Sequence, residues 1–109
     1  MFAGEMLLFL LVAGHFLADY PLQGQFLAEA KNRHTALGST YWLHALTGHS
    51  FIHGGVVAIL TGSVILGIAE TIVHWYTDWL KCENKISLHQ DQAIHLSCKV
   101  VWFLLVQFF

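Results

Sequence analysis

Between Tyr41 and Leu80 the chain carries one apolar tract of about 40 residues. A helix that crosses a membrane needs ~20 such residues, so the tract holds two spans, and Thr61-Gly62 is the expected turn between them. Two further apolar stretches flank it, Phe2 to Tyr20 and His89 to Phe109. Pro21 ends the first, because the residue before a proline is pushed out of helical conformation. Of the 109 residues, 56% are hydrophobic and 11% charged, against ~25% charged in an ordinary soluble domain. A domain this small has too little interior to hide so much apolar surface. The pattern predicts an all-α, integral membrane four-helix bundle of up-down topology. It forms a single domain over 1–109, with spans at about 2–20, 41–60, 63–81 and 89–109.

The segment 22–38 is the one long connection, and its spacing of Phe26, Leu27 and Ala30 against Gln23, Gln25, Glu29 and Lys31 predicts a short interfacial helix. It lies on the same side of a four-span bundle as the second polar connection, Lys81 to Lys85. Lys31, Arg33, Lys81 and Lys85 therefore share one face. The positive-inside rule makes that face cytoplasmic, which predicts a multi-pass protein of the inner membrane with both termini outside. No basic residue precedes Lys31, so the first helix is expected to be retained rather than cleaved as a signal peptide. Two cysteines are too few for a disulfide framework. A net charge of −2 with no basic run excludes nucleic acid as a partner.

Inside the apolar stretches stand residues that a bilayer disfavours, and they stand at helical spacing: His15 and Asp19; His49 and His53; Glu70, His74 and Asp78; Asp91, His95 and Lys99. Steps of four stack each set along one helix face. Ionisable residues within spans normally face the bundle interior and carry function. Counted inward from the expected helix ends, Asp19, Asp78 and Asp91 form an outer layer. His15, His49, His74 and His95 lie one turn deeper, with His53, Glu70 and Lys99 near the midplane.

Imidazole and carboxylate together suit divalent metals, and bundle metal sites use such pairs on facing helices. The metal-ligand candidates are His15, Asp19, His49, His74, Asp78, Asp91 and His95. They would hold one or two divalent ions, zinc first, with manganese or iron as alternatives. Two-metal sites activate water for displacement at phosphorus or carbonyl carbon. Glu70 is then the expected general base or further ligand. Lys99 is the expected catalytic cation, with Gln23, His53 and Gln92 on the substrate side. A blander reading stands beside each element: His–Asp pairs also occur as hydrogen-bonded structure, and Glu70 with Lys99 also fits a buried ion pair. His44 points away from His49 on its helix. Trp42, Trp75, Trp79 and Trp102 read as interface anchors and bundle packing.

The run His15-Phe-Leu-Ala-Asp19-Tyr-Pro-Leu-Gln-Gly-Gln25, with Lys31-Asn32, His49-x3-His53, Glu70-x3-His74-x3-Asp78 and Asp91-Gln92-x2-His95-x3-Lys99, resembles the small bacterial and phage membrane proteins grouped as domain of unknown function 3307. The His and Asp layout is also similar, more loosely, to membrane-bound metal-dependent hydrolases, and that second resemblance implies hydrolysis. The expected function is a membrane-embedded, metal-dependent hydrolase. Its site opens to the cytoplasmic face, and its partners are the lipid bilayer and an amphiphilic lipid phosphate or ester. The alternatives are a proton or metal-ion pathway, a haem bundle, or a phage accessory protein with a structural polar core. The apolar outer half, Met6 to Val12, Val56 to Leu60 and Val100 to Phe109, disfavours a pore.

Overall fold

The computed structural model describes residues 2–109. Five helices follow one another: α1 (Gly4–Asp19), α2 (Gly24–Ala30), α3 (Gly38–Thr61), α4 (Val64–Cys82) and α5 (Leu88–Phe108). The chain is all-helical, with no strand among the described residues. α1 stops just before the Tyr20-Pro21 step, as proline stereochemistry requires. α3 ends at Thr61, and Gly62 takes φ of 72°, a left-handed conformation in which a Cβ is strained. Ser63 then caps α4 by accepting the Leu66 N–H at 3.2 Å. α5 starts at Leu88 on a reciprocal capping box between Ser87 and Gln90.

α3 packs along α4 and α1, and α5 closes against α1 and α4. The α3–α4 contact is backbone-close. A Cβ at Gly54 would lie 1.8 Å from Thr71 Oγ1, and one at Gly67 would lie 2.7 Å from the Ala58 Cβ. α2 is shorter than the interfacial segment expected over 22–38. It has seven residues, packs on α3 and buries Ala30, and turns occupy most of the stretch up to Leu37.

The two polar connections meet at one end of the molecule. Arg33 donates from Nη2 and Nε to the two Glu83 oxygens at 2.6 and 2.9 Å, and His34 Nε2 lies 2.7 Å from Glu83 Oε2. The Arg33 fork, joined by His34, holds the Glu83 carboxyl down to about 2 and raises the guanidinium's own affinity for its proton.

Among the described residues, α3 alone is long and apolar enough to cross a membrane by itself. α1 and α2 satisfy the same criteria only together, and they are bent by 79° at their break. Length and apolarity thus mark one crossing, where the sequence pattern leads to an expectation of four. The reasons are local. α1 has 16 residues, about 24 Å at ~1.5 Å per residue. α4 and α5 carry Glu70, Asp78, Asp91 and Lys99, which lower their mean hydropathy although all four side chains are buried.

The interior has two halves. At one end Leu7, Leu11, Val57 and Trp102 form an apolar core, flanked by Leu60, Leu66, Phe103 and Val106. The other half is polar. Meanwhile Phe9 and Leu17 on α1, Phe51 and Ile59 on α3, Ile65 and Ile72 on α4, and Val101 and Phe108 on α5 are all exposed. A polar interior half beneath exposed large apolar side chains departs from the distribution of a soluble domain.

Candidate metal centre

Four of the five helices send histidines to one place. His15 comes from α1, His49 and His53 from α3, His74 from α4 and His95 from α5, and all five are at most 1% exposed. Steps of four along each helix bring the members of a set to one face, and packing of the helices brings those faces together. The ring of His74 stacks between those of His53 and His95, with centroids 3.7 and 4.0 Å away, and His49 lies 5.0 Å off. His53 therefore belongs to the imidazole layer and not to the deeper one expected for it. The depth count assumed helix ends in a common plane, but α3 begins at Gly38 and its first turns project toward α2.

Two sets of side chains place one potential ligand atom each within 4.8 Å of one another: Asp19, His49, His53 and His74, and Glu70, His74 and His95. In the first set, Asp19 Oδ1 is 3.4 Å from His49 Nε2 and 3.3 Å from His53 Nε2, yet neither nitrogen is aligned for a hydrogen bond. In the second, His74 Nδ1 is 3.4 Å from Glu70 Oε2, and again no hydrogen bond forms. Both His49 nitrogens, both His74 nitrogens, His53 Nε2, His95 Nδ1 and Glu70 Oε2 are buried without a hydrogen-bond partner. Each such atom costs ~1–3 kcal/mol when left unsatisfied, and orphans on this scale are rare in folded proteins. Converging nitrogen and carboxylate oxygen lone pairs are donors of the types that could hold a transition-metal ion.

The remaining polar groups hold these ligands from behind. Asp91 Oδ1 accepts the His95 Nε2–H at 3.1 Å, which leaves His95 Nδ1 as the free lone pair. This is the carboxylate–histidine pairing that orients metal ligands. Gln92 Oε1 accepts from His15 Nε2 at 3.0 Å, while Gln92 Nε2 donates to Asp19 Oδ2 at 3.0 Å and Asp91 Oδ2 at 3.1 Å. Lys99 Nζ donates to Glu70 Oε1 at 2.5 Å and Trp102 Nε1 donates to the same oxygen at 3.0 Å, so Oε2 alone is left for a ligand. Gln23 donates to the Asp19 carbonyl and accepts from Lys31.

The structure thus brings together every candidate read from the sequence, but in two ranks. Asp19, His49, His53, Glu70, His74 and His95 make up the ligand-competent sets. His15, Asp91 and Gln92 support them, and Lys99 is committed to Glu70. Asp78 stands between: its Oδ2 is 3.5 Å from His49 Nε2 and 4.0 Å from His74 Nε2, but 2.9 Å from Lys31 Nζ. His44 and His89 are exposed and take no part.

Three participants escaped the sequence reading. Lys31, read as an interfacial cation, is 5% exposed and reaches into the bundle to Asp78. Nothing in its local spacing signals this, because the contact joins residues far apart in sequence. Lys81 lies 3.3 Å from Asp78 Oδ1 at i+3, a helical neighbour that spacing alone could have supplied. Trp102, read as packing or an anchor, is buried and donates to Glu70 from the position three after Lys99.

The centre is anionic. Four buried carboxylates, Asp19, Glu70, Asp78 and Asp91, face two buried lysines, Lys31 and Lys99, and the half-buried Lys81. One negative charge is left over, and buried charge is costly unless paired. A divalent cation fits both the donor set and this imbalance. A family model described as a protein of unknown function (DUF3307) matches residues 7–109. No curated protein matches the chain, and no solved structure does.

Proposed function

We propose, for a chain that belongs to the DUF3307 family over nearly its whole length, a membrane-embedded, metal-dependent hydrolase with its metal centre in the polar half of the bundle. What carries the reading is the pair of buried ligand sets with their unpartnered nitrogens and the free Glu70 oxygen. One or two divalent ions, zinc before manganese or iron, would be held by Asp19, His49, His53, His74, His95 and Glu70. A bound ion supplies two things: a water whose pKa falls toward neutrality, and a Lewis acid for a phosphoryl or carbonyl oxygen. The chain's own residues do the rest. Asp91 fixes the His95 tautomer, and Gln92 fixes His15 and Asp19. Lys99 and Trp102 hold Glu70 so that Oε2 is available as ligand or proton acceptor.

Four crossings of an inner membrane accompany this reading, with the Lys31, Arg33, Lys81 and Lys85 end in the cytoplasm. They are supported by apolar side chains turned outward on all four long helices. The long dimension of 44 Å also supports them, since it suits the ~40–45 Å of a bilayer with its headgroups. The apolar plug of Leu7, Leu11, Val57 and Trp102 closes the far end, which favours a one-sided site over a proton or ion path. At the near end Asp19, 8% exposed, and half-buried Gln92 and Gln23 form the polar approach. That position, at headgroup depth, suits an amphiphilic lipid phosphate or ester.

One observation favours a second reading, a non-catalytic metal or polar core: His49, His53, His74, His95 and Glu70 are all at most 1% exposed. Metal analysis of the detergent-purified protein by mass spectrometry, beside His74→Ala and Asp78→Ala, tests the centre. One or two ions per chain, with fewer held by His74→Ala, support it, and a metal-free wild type after reconstitution overturns it. Hydrolysis of lipid phosphates and esters then separates the two readings. Turnover that disappears with the metal supports the hydrolase, and a metal-loaded protein without turnover supports the core.

A further inference from the structure

His74 is common to both ligand sets, and its two nitrogens lie near carboxylates of two different residues, Glu70 and Asp78. Nδ1 lies 3.4 Å from Glu70 Oε2, the free oxygen of the Glu70–His74–His95 set. Nε2 points the other way, 4.0 Å from Asp78 Oδ2, the same oxygen that lies 3.5 Å from His49 Nε2 in the Asp19–His49–His53–His74 set. Neither nitrogen has a hydrogen-bond partner, and the residue is wholly buried. A neutral imidazole carries one N–H donor and one lone pair, so a histidine that binds one ion normally gives its other N–H to a carboxylate or carbonyl. His95 does this through Asp91. His74 has no such acceptor in line, although carboxylates lie near both its nitrogens.

From this we infer that His74 bridges two metal ions as an imidazolate, Nε2 to an ion in the Asp19–His49–His53 pocket and Nδ1 to an ion in the Glu70–His95 pocket. The inference rests on the metal centre of the preceding section and fixes its nuclearity and its shared ligand. On bridging, the ring gives up its remaining proton to solvent and gains one negative charge. Added to the one left over from the carboxylates and lysines, this makes two. A pair of divalent ions brings four positive charges, so two remain for anionic ligands. The centre therefore takes hydroxide together with an oxyanion, such as a phosphate ester, in preference to a neutral substrate. The flanking rings fit the same geometry. His53 and His95 stack on opposite sides of the shared ring at 3.7 and 4.0 Å, with interplanar angles of 21° and 18°, and so hold its plane between the two pockets.

Copper(II) is the probe, because imidazole sites bind it most tightly among divalent first-row ions and because two copper ions joined through an imidazolate couple magnetically. The full-length protein in detergent is stripped with chelator, titrated with copper(II), and followed by metal analysis and electron paramagnetic resonance. Two copper ions per chain with most of the ordinary resonance lost at low temperature are expected. His95→Ala, which dismantles only the Glu70 pocket, should bind one ion and recover the full signal per copper. His74→Ala should do likewise, and His95→Ala keeps the test valid if loss of the central ring prevents folding. Saturation at one copper in the wild type, or two with full uncoupled signal, overturns the bridge while leaving a metal centre. A folded wild type that binds no copper overturns the metal centre itself, and the bridge with it.

Discussion

Replacing Lys99 with Met in metal-stripped protein isolates the buried charge pair that supports the centre. Glu70 is fully buried, and the Lys99 side chain is 2% exposed. The carboxylate takes the Lys99 ammonium and the Trp102 indole on one oxygen and no hydrogen bond on the other. Lys99→Met removes the ammonium that touches Glu70 and leaves a charge with the neutral Trp102 donor. Breaking one partner of a buried pair costs about 3–5 kcal/mol, whereas replacing both by neutral groups of similar size is often neutral or stabilising. The double variant Glu70→Gln/Lys99→Met should therefore lie within ~1 kcal/mol of wild type, far above the sum of the single losses. Unfolding in mixed micelles, followed by far-UV circular dichroism, measures all four members of the cycle. Metal loading should shrink the Lys99→Met loss, because an ion at Glu70 Oε2 replaces the missing positive charge. A single-variant loss below ~1 kcal/mol, or additive losses in the double variant, would show that Glu70 and Lys99 do not form a buried charged pair.

The α3–α4 approach predicts that Gly54→Ala costs about 1–3 kcal/mol by overpacking, since its Cβ meets Thr71 and the Gly67 carbonyl, whereas Gly55→Ala, with open space around it, should be neutral in the same unfolding assay. Equal effects at the two sites would refute the packing. The Arg33–Glu83 clasp predicts a Glu83 carboxyl titrating near 2 by NMR, returning toward its ordinary 4.5 in Arg33→Gln. Because folding lowers that value, the clasp contributes fully above pH 4.5 and is lost as pH falls toward 2; a wild-type midpoint near 4.5 would remove it. Four crossings predict that doxyl-labelled lipids broaden the NMR signals of Ile59, Ile72 and Val101 alike. Broadening confined to α3 would reduce the protein to the one crossing that length and apolarity mark.

How much of this was legible in the chain depends on the range of the interaction. Helix existence, the stop before Pro21 and the turn at Thr61-Gly62 follow from local stereochemistry. Likewise, the i, i+4 spacing of histidines and carboxylates fixes which residues share a helix face before any packing occurs. The sequence by itself thus determined the all-helical class and which histidines and carboxylates share a helix face, but not the buried place of Lys31 among them. It did not determine how those faces meet. The axial offset and rotation of α3 against α4 depend on backbone approach at Gly54 and Gly67, and that offset sets His53 beside His74 instead of one layer deeper. Lys31 reaches Asp78 only because the segment between α2 and α3 folds back over the end of α4, a contact no periodicity encodes. Only the tertiary structure decided that His74, one of five similar histidines, sits where both ligand sets converge. Spacing along a helix is a property of one backbone, whereas a shared ligand is a property of several helices held in register.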